Sequence, residues 1–182
     1  MYIFLLGFLK IELILIKRFN YEFLVLIVFG FCRILNKNMW LIKTFSQLTT
    51  KELLGFLRLR NAVFIVEQKS IYQDIDYYDL KSIHIFRKTN GKIIAYARIY
   101  KVGNYVTFGR LVVAKYYREE GLGRKLLNKV MKIIKKKFPG FKIKIEAQFY
   151  IQNLYKQFGF QVSGRKFILD SIFHINMVHN PL

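Results

Sequence analysis

Residues 83–113 hold the feature that most constrains the fold. Asn90-Gly91 stands between two β-rich runs, residues 83–87 and 93–101. Both members of that pair tolerate positive φ, as a two-residue hairpin turn demands, so the flanking runs are held antiparallel. A second break at Gly103-Asn104 returns the chain into a third run, residues 105–113. An antiparallel meander follows.

Beyond Val113 the pattern changes. A short basic-aromatic turn and two glycines lead into a segment where Leu126, Leu127, Val130, Ile133 and Ile134 share one helical face, with lysines mostly on the others. Pro139-Gly140 stops that helix. Residues 141–147 read as a strand, residues 150–158 as a short helix closed by Gly159, and residues 160–169 and 173–178 as final strands. Upstream, residues 40–45 alternate enough for a first strand. Thr49 and Glu52 form a capping box, each able to satisfy a free amide at a helix start, and Leu53, Leu54, Leu57 and residues 61–64 continue at helical spacing. Residues 67–80 lose periodicity and collect polar and aromatic side chains, a long loop or broken helix where a substrate can be met. The order predicts an α/β fold with a central mixed, mostly antiparallel sheet flanked by helices.

With 182 residues, 53% of them hydrophobic, the chain has ample material for one core, and a disordered or collagenous chain is excluded. The formal net charge is +20. Much of that excess follows from a composition rich in Phe, Ile, Lys, Asn and Tyr, the types an AT-rich genome favours. Interleaved aromatics on a basic groove are not evident, so nucleic acid ranks low as a partner. The single cysteine, Cys32, rules out an internal disulfide framework and any Cys-based zinc site, and no metal is expected. A reducing, cytoplasmic setting fits best.

Residues 1–38 are a different text, apolar but broken by Lys10, Glu12, Lys17, Arg18, Glu22, Arg33 and Lys37. No uncharged run there approaches the roughly 18 to 20 residues of a spanning helix. Three readings stand: a membrane-surface anchor with basic flanks, an extra helix packed on the domain, or an upstream stretch read in frame before a start at Met39. The last is preferred, which makes residues 39–182 one domain and membrane contact through residues 1–38 the less favoured alternative.

The most informative stretch runs from Leu111 to Leu127. A strand enters a turn, Arg118-Glu119-Glu120-Gly121-Leu122-Gly123, whose glycines open directly into a basic helix. Free backbone N–H groups and the positive end of the helix dipole then point at one spot, which suits a pyrophosphate. An ordinary strand-to-helix turn is the structural alternative, but strand, Arg, Gly-x-Gly and helix in that order favour the anion site.

At this junction the sequence resembles the GNAT superfamily of N-acetyltransferases, whose acetyl-coenzyme A signature is Gln/Arg-x-x-Gly-x-Gly/Ala. The resemblance implies that backbone amides of Arg118, Gly121, Leu122, Gly123 and Arg124 hold the coenzyme pyrophosphate, and that groups near Leu111 and Val113 pair with the pantetheine arm. Glu119 and Glu120 depart from the usual Gly or basic residues. Asn153 and Tyr155, followed by Gly159-Phe160, are similar to the superfamily's second motif, in which the Tyr protonates the leaving thiolate; the plain alternative is a packing aromatic. A narrower resemblance, to the ElaA-like branch, rests on residues 59–68, residues 72–76, His84, residues 95–98, Gly109-Arg110 and Ala147-Gln148.

Direct transfer needs an amine made neutral before it attacks, hence a carboxylate, an imidazole or a water they hold. Glu67 is the first choice because it closes the apolar run 63–66, and Glu146, at a strand end beside the expected thioester, is its rival. Gln68, Tyr72, Asp74, Asp76, His84 and Arg98 are the expected acceptor-side residues. Each has a structural alternative: aspartates as turn formers, His84 as a satisfied strand residue, Arg98 and Arg110 as partners of carboxylates. The expected function is acetyl-CoA-dependent transfer to a primary amine, and the alternative is an inactive GNAT-fold module that binds coenzyme A or nucleic acid.

Overall fold

The computed structural model describes residues 39–182, and the expectations for residues 1–38 lie outside the described residues. Strand β1 (Trp40–Thr44) leads through a short 3-10 turn into helix α1 (Thr50–Arg60). The capping box forms as expected: the Glu52 amide donates to Thr49 Oγ1 at 3.2 Å, and the Thr49 amide donates to a Glu52 carboxylate oxygen at 3.0 Å. Burial pushes the Glu52 carboxyl up, but hydrogen bonds from Lys43, the Thr49 amide and Lys88 outweigh it and bring the group down to about 2.

Helix α1 continues into a π-helical segment, Asn61–Glu67, where the Gln68 amide reaches back five residues to the Val63 carbonyl at 2.9 Å. The segment buries Val63 and Phe64 and delivers Glu67 and Gln68 to the far end of the helix. The stretch after it is irregular apart from one short helix, α2 (Tyr78–Lys81). The meander follows as β2 (Ile83–Thr89), β3 (Lys92–Val102) and β4 (Tyr105–Val113), with Asn90 at φ 50° and Gly91 at φ 75° in the first turn. Helix α3 (Leu122–Lys137), strand β5 (Lys142–Gln148), helix α4 (Gln152–Lys156) and strands β6 (Gln161–Val162), β7 (Phe167–Leu169) and β8 (Ile172–His179) complete the order. The single strand expected over residues 160–169 is therefore two short strands. The chain breaks between them at Gly164, whose φ of 105° leaves the extended region.

The eight strands form one sheet in the order β1-β2-β3-β4-β5-β8-β6, with β7 also on β8. Every pairing is antiparallel except β4 with β5. Those two run parallel and pair only at Tyr105 with Lys142 and Val106 with Ile143, then diverge. Apolar residues clothe both faces. On one, Leu126, Leu127, Val130 and Ile134 of α3 pack on Ile85, Ala97, Ile99 and Val106; on the other, Phe56 and Leu59 of α1 pack on Phe86, Tyr96 and Val112. The alternation along β2 and β3 serves both layers at once.

Under the irregular stretch lies an ionic layer. Asp79 Oδ1 is 2.8 Å from Arg60 Nη1 and 2.8 Å from Arg98 Nη1. Asp74 faces Arg60 Nε at 2.9 Å and Arg110 Nε at 2.7 Å. Asp76 takes a two-pronged bond from Arg98, at 2.7 and 2.6 Å. Arg60 is fully buried and Arg98 is 2% exposed, so these are desolvated charges rather than surface pairs. The arginines come from α1, β3 and β4, and the aspartates all come from residues 74–79. Burial pushes the Asp76 and Asp79 carboxyls up, while bonds from Arg98 and Arg60 outweigh it and leave both below the ordinary carboxylate value.

Removing one partner leaves a buried guanidinium short of its anion. Asp79→Asn is expected to lower unfolding free energy by about 3–5 kcal/mol, measured by urea denaturation; a change below about 1 kcal/mol would show the layer to be incidental. Glu52→Gln keeps the capping geometry but loses both lysine pairs. Because the folded carboxyl titrates below its unfolded value, the wild-type advantage is full above about pH 4.5 and fades as pH falls toward about 2. Thermal melts of both proteins across pH 2–7 check this, with a gap of about 2 kcal/mol expected at pH 7.

Candidate active site

The diverging ends of β4 and β5 open a cavity of about 490 Å³. Residues Phe108–Leu111 form one wall, Glu146 and Gln148 the opposite one, and Tyr155 of α4 the inner end. Gln68, Ser70 and Tyr72 close it from the irregular stretch, and Asp170 closes it from the turn between β7 and β8.

The β4 wall is built by an irregularity. Tyr96 opposes Val112 while Arg98 opposes Gly109, so β4 carries one extra residue there, and Arg110 takes a left-handed φ of 54°. A non-glycine in that region stores strain that something must repay. Here Asp74 grips the guanidinium, which also lies 5.0 Å above the Tyr72 ring. Beyond Val106, β4 has no strand on its β5 side, so its main-chain polar groups face the gap.

At the outer end of β4 the chain passes a 3-10 turn, Lys115–Tyr117, and enters α3 through two left-handed residues, Glu119 at φ 69° and Gly121 at φ 68°. Gly121 is the N-cap, and no side chain caps the helix. The first bond of α3 runs from the Lys125 amide to the Gly121 carbonyl, so the amides of Gly121, Leu122, Gly123 and Arg124 have no partner within the helix. A Cβ on Gly121 would meet nothing within 4 Å, and one on Gly123 would only touch Val113 Cγ2 at 4.0 Å. Protein packing does not require either hydrogen. The open space lies against four free N–H groups at the positive end of a 16-residue helix, a geometry that fits an anion. Glu119 and Glu120 are both exposed.

Arg118 is held by two partners. Its Nε donates to the Val113 carbonyl at 3.1 Å, and its two terminal nitrogens donate to the Glu67 carboxylate at 2.5 and 3.0 Å. That pair holds the Glu67 carboxyl below its ordinary value. Glu67 is not part of the cavity wall; Glu146 is. Tyr155 is 5% exposed, wedged against Phe108 and Phe160 at ring-centre distances of 6.0 and 5.9 Å. Its hydroxyl has no hydrogen-bond partner among the described residues, and burial pushes its pKa well above the ordinary phenol value, so the proton stays on. Asn153 is exposed on α4 and stands outside the cavity wall.

Of the residues expected on the acceptor side, Gln68 and Tyr72 reach the cavity. Gln68 and Gln148 exchange amide hydrogen bonds of 3.4 and 3.0 Å, and the Tyr150 hydroxyl donates to Gln148 at 2.8 Å. Asp74, Asp76 and Arg98 are spent in the ionic layer instead, where charge neutrality holds them. His84 lies beneath it: Nε2–H donates to the Asp79 carbonyl at 2.9 Å and Nδ1 accepts from the Tyr96 hydroxyl at 2.9 Å. Burial brings this imidazole down to about 4, so it is a neutral structural group. Sequence reasoning gave no role to Arg60, Asp79, Ser70 or Asp170. The lone charges inside strands were the available signal for the layer, since a buried arginine demands a carboxylate.

Among the described residues no His, Cys, Asp and Glu side chains gather as a metal site, and no described helix is long and apolar enough to cross a membrane. Residues 44–180 match the family described as acetyltransferase (GNAT) domain. Protein ElaA of Escherichia coli is 36% identical over 142 residues, covering 75% of this chain and 93% of that protein. A UPF0039 protein of Schizosaccharomyces pombe is 38% identical over 138 residues, covering 74% of this chain and 92% of its own length. Among solved structures, Escherichia coli ElaA superimposes with a TM-score of 0.75 over 78% of this chain and 99% of that one. An acyl-CoA N-acyltransferase from Pseudomonas aeruginosa gives 0.75 at 31% identity over the same shares. A GNAT family acetyltransferase from Elizabethkingia anophelis, solved with acetyl-CoA bound, shares the fold at a TM-score of 0.53 and 16% identity, over 79% of this chain and 98% of that one. An uncapped helix start beside a splayed sheet, together with these matches, places the chain in the GNAT family of acyl-CoA-dependent acyltransferases.

Proposed function

We propose that the protein transfers an acetyl group from acetyl-CoA to a primary amine by direct attack. The observation that carries this reading is the uncapped start of α3, left open by Gly121 and Gly123, at the end of the strand that also walls the Tyr155 cavity. The pyrophosphate would rest on the amides of Gly121, Leu122, Gly123 and Arg124, with the basic first turn of α3 offsetting its charge. The pantetheine arm would lie along the unpaired edge of β4 near Leu111 and Val113, taking the place of the strand that β5 does not supply. Arg118 already occupies the Val113 carbonyl, so Leu111 offers the freer main-chain groups.

In the reaction the amine nitrogen forms a bond to the thioester carbonyl carbon, the carbon–sulfur bond breaks, and the departing thiolate takes the Tyr155 proton. A phenol kept protonated by burial suits that task. The attacking amine must first lose a proton. Glu146, in the cavity wall, is better placed to take it, directly or through a water, than Glu67, which Arg118 holds outside. Release of thiol from acetyl-CoA over a panel of amines tests the reading. Coenzyme binding with no transfer to any amine would favour an inactive module.

Gly123→Met places a side chain where the phosphate would lie and removes a glycine from the helix. Coenzyme A affinity is expected to fall at least tenfold, about 1.4 kcal/mol, with no loss of melting temperature. Unchanged calorimetric affinity would remove the anion site from α3. Tyr155→Phe retains the ring and loses only the proton, so kcat should drop about 10²-fold while the coenzyme Kd stays within twofold. A wild-type kcat in that variant would return Tyr155 to the core.

A further inference from the structure

The chain holds three histidines, and one of them, His174, lines the cavity. Both ring nitrogens of His84 are engaged beneath the ionic layer, and His179 lies against Phe160 with its Nδ1 donating to the Asn180 carbonyl. His174 differs from both. Its Nδ1 is 2.9 Å from the Ile172 carbonyl, which can only accept, so the neutral ring carries its proton on Nδ1 and keeps a lone pair on Nε2. Nε2 has no hydrogen-bond partner among the described residues. The ring stacks on Phe167, its register neighbour on β7, with centres 6.1 Å apart and planes 30° from parallel.

The alternation of the sheet decides which side of the cavity this ring serves. Ile143, Ile145 and Ala147 of β5 and Ile175 and Met177 of β8 are buried in the core that α3 covers, and Tyr155 belongs to that same core. The residues between them, Glu146 and Gln148 on β5 and His174 and Asn176 on β8, therefore lie on the opposite face. The register sets His174 beside Gln148 and Asn176 beside Glu146, which makes Glu146 a diagonal neighbour of His174, about 7–8 Å away between backbones. His174 and Tyr155 thus line one cavity from opposite faces of the sheet. Acyl transfer needs that separation. The proton donor must stand beside the sulfur and the proton acceptor beside the attacking nitrogen, with the carbonyl carbon between them.

We infer that His174 is the general base of the reaction, its Nε2 taking a proton from the acceptor's ammonium. The inference rests on the transferase reading and names a catalytic residue for it. The neutral nitrogen attacks the thioester carbonyl carbon, and the carbon–sulfur bond breaks as sulfur takes the Tyr155 proton. The proton then shed by the amide nitrogen restores Tyr155 through solvent, and the one held by His174 leaves as the net proton of the reaction. The charged side chains in the cavity wall are less suited. Arg110 is bound to Asp74, and Lys144 lies over the Tyr105 ring at 4.7 Å. Glu146 and Asp170 are exposed, and no hydrogen bond among the described residues fixes either carboxylate, whereas His174 is half-buried and held at two points. Glu146, better placed than Glu67, is its rival.

His174→Gln removes the base and keeps a polar side chain of similar reach. The probes are ethylamine, an ammonium at pH 7, and hydroxylamine, already largely neutral there, each used with acetyl-CoA in the thiol-release assay. With melting temperature and coenzyme A affinity unchanged, kcat/KM should fall about 10²-fold for ethylamine and less than about fivefold for hydroxylamine. His174→Ala should regain ethylamine transfer when free imidazole is added, a recovery that a packing defect does not show. Equal losses with both acceptors and no rescue by imidazole, or a wild-type rate with ethylamine, would overturn the inference. So would a selective loss for ethylamine in Glu146→Gln that His174→Gln lacks, which gives the proton to the carboxylate. In each of these cases the unaltered protein still acylates amines, and the transferase reading stands. Absence of thiol release by the unaltered protein with either acceptor, and with every other amine, sinks that reading and the inference with it.

Discussion

Three arginines and three aspartates, four of the six buried, decide how one side of this molecule is put together. Arg60, Arg98 and Arg110 rise from three separate elements, and Asp74, Asp76 and Asp79 descend on them from one stretch of chain. Desolvating any of these charges alone is prohibitive, so the arrangement exists only as a neutral whole. Its effect reaches beyond itself. By fixing residues 74–79 it sets the path of residues 68–72, which close the cavity. Its hold on Arg110 also stabilises the left-handed residue that gives β4 its extra member.

The rest of the site depends on a pairing that stops. After two residue pairs β4 and β5 separate, and the sheet gives up main-chain hydrogen bonds on both sides of the gap. A sheet interrupted in this way is stable only because α3 and α1 cover its faces and β8 pairs with β5 along six residues. The space so made is adjacent to the uncapped helix start, so one short length of chain, Leu111 to Arg124, supplies a strand edge and four free helix amides in sequence.

Much of this was legible in the residues. Asn90-Gly91, the Thr49–Glu52 cap, the apolar stripe of α3 and its Pro139-Gly140 stop are local signals, and each marks an element found near its expected bounds. The failures are non-local or conformational. Gly164 sat inside an apparent strand that it in fact divides. Nothing about Arg110 announces a positive φ. Glu67 was ranked first as a base because it ended an apolar run, yet its partner Arg118 lies 51 residues further on, a proximity no spacing encodes. The aspartates of residues 74–79 read as acceptor residues because polar loops near a site invite that reading; only the burial of Arg60 and Arg98 shows where their charge is used.

The placement of the six charges also orders events in time. The aspartates are close together in the chain, within residues 74–79, but their partners are not brought into one layer until α1, β3 and β4 have docked. Before then the stretch has nothing to close upon, and apart from the single turn of α2 its irregular backbone has no secondary structure to hold it. The cavity wall that residues 68–72 supply is therefore the last part of the domain to take shape. A nascent chain can form the turn and helix start at Gly121, which are local in sequence, well before residues 68–72 have closed the cavity.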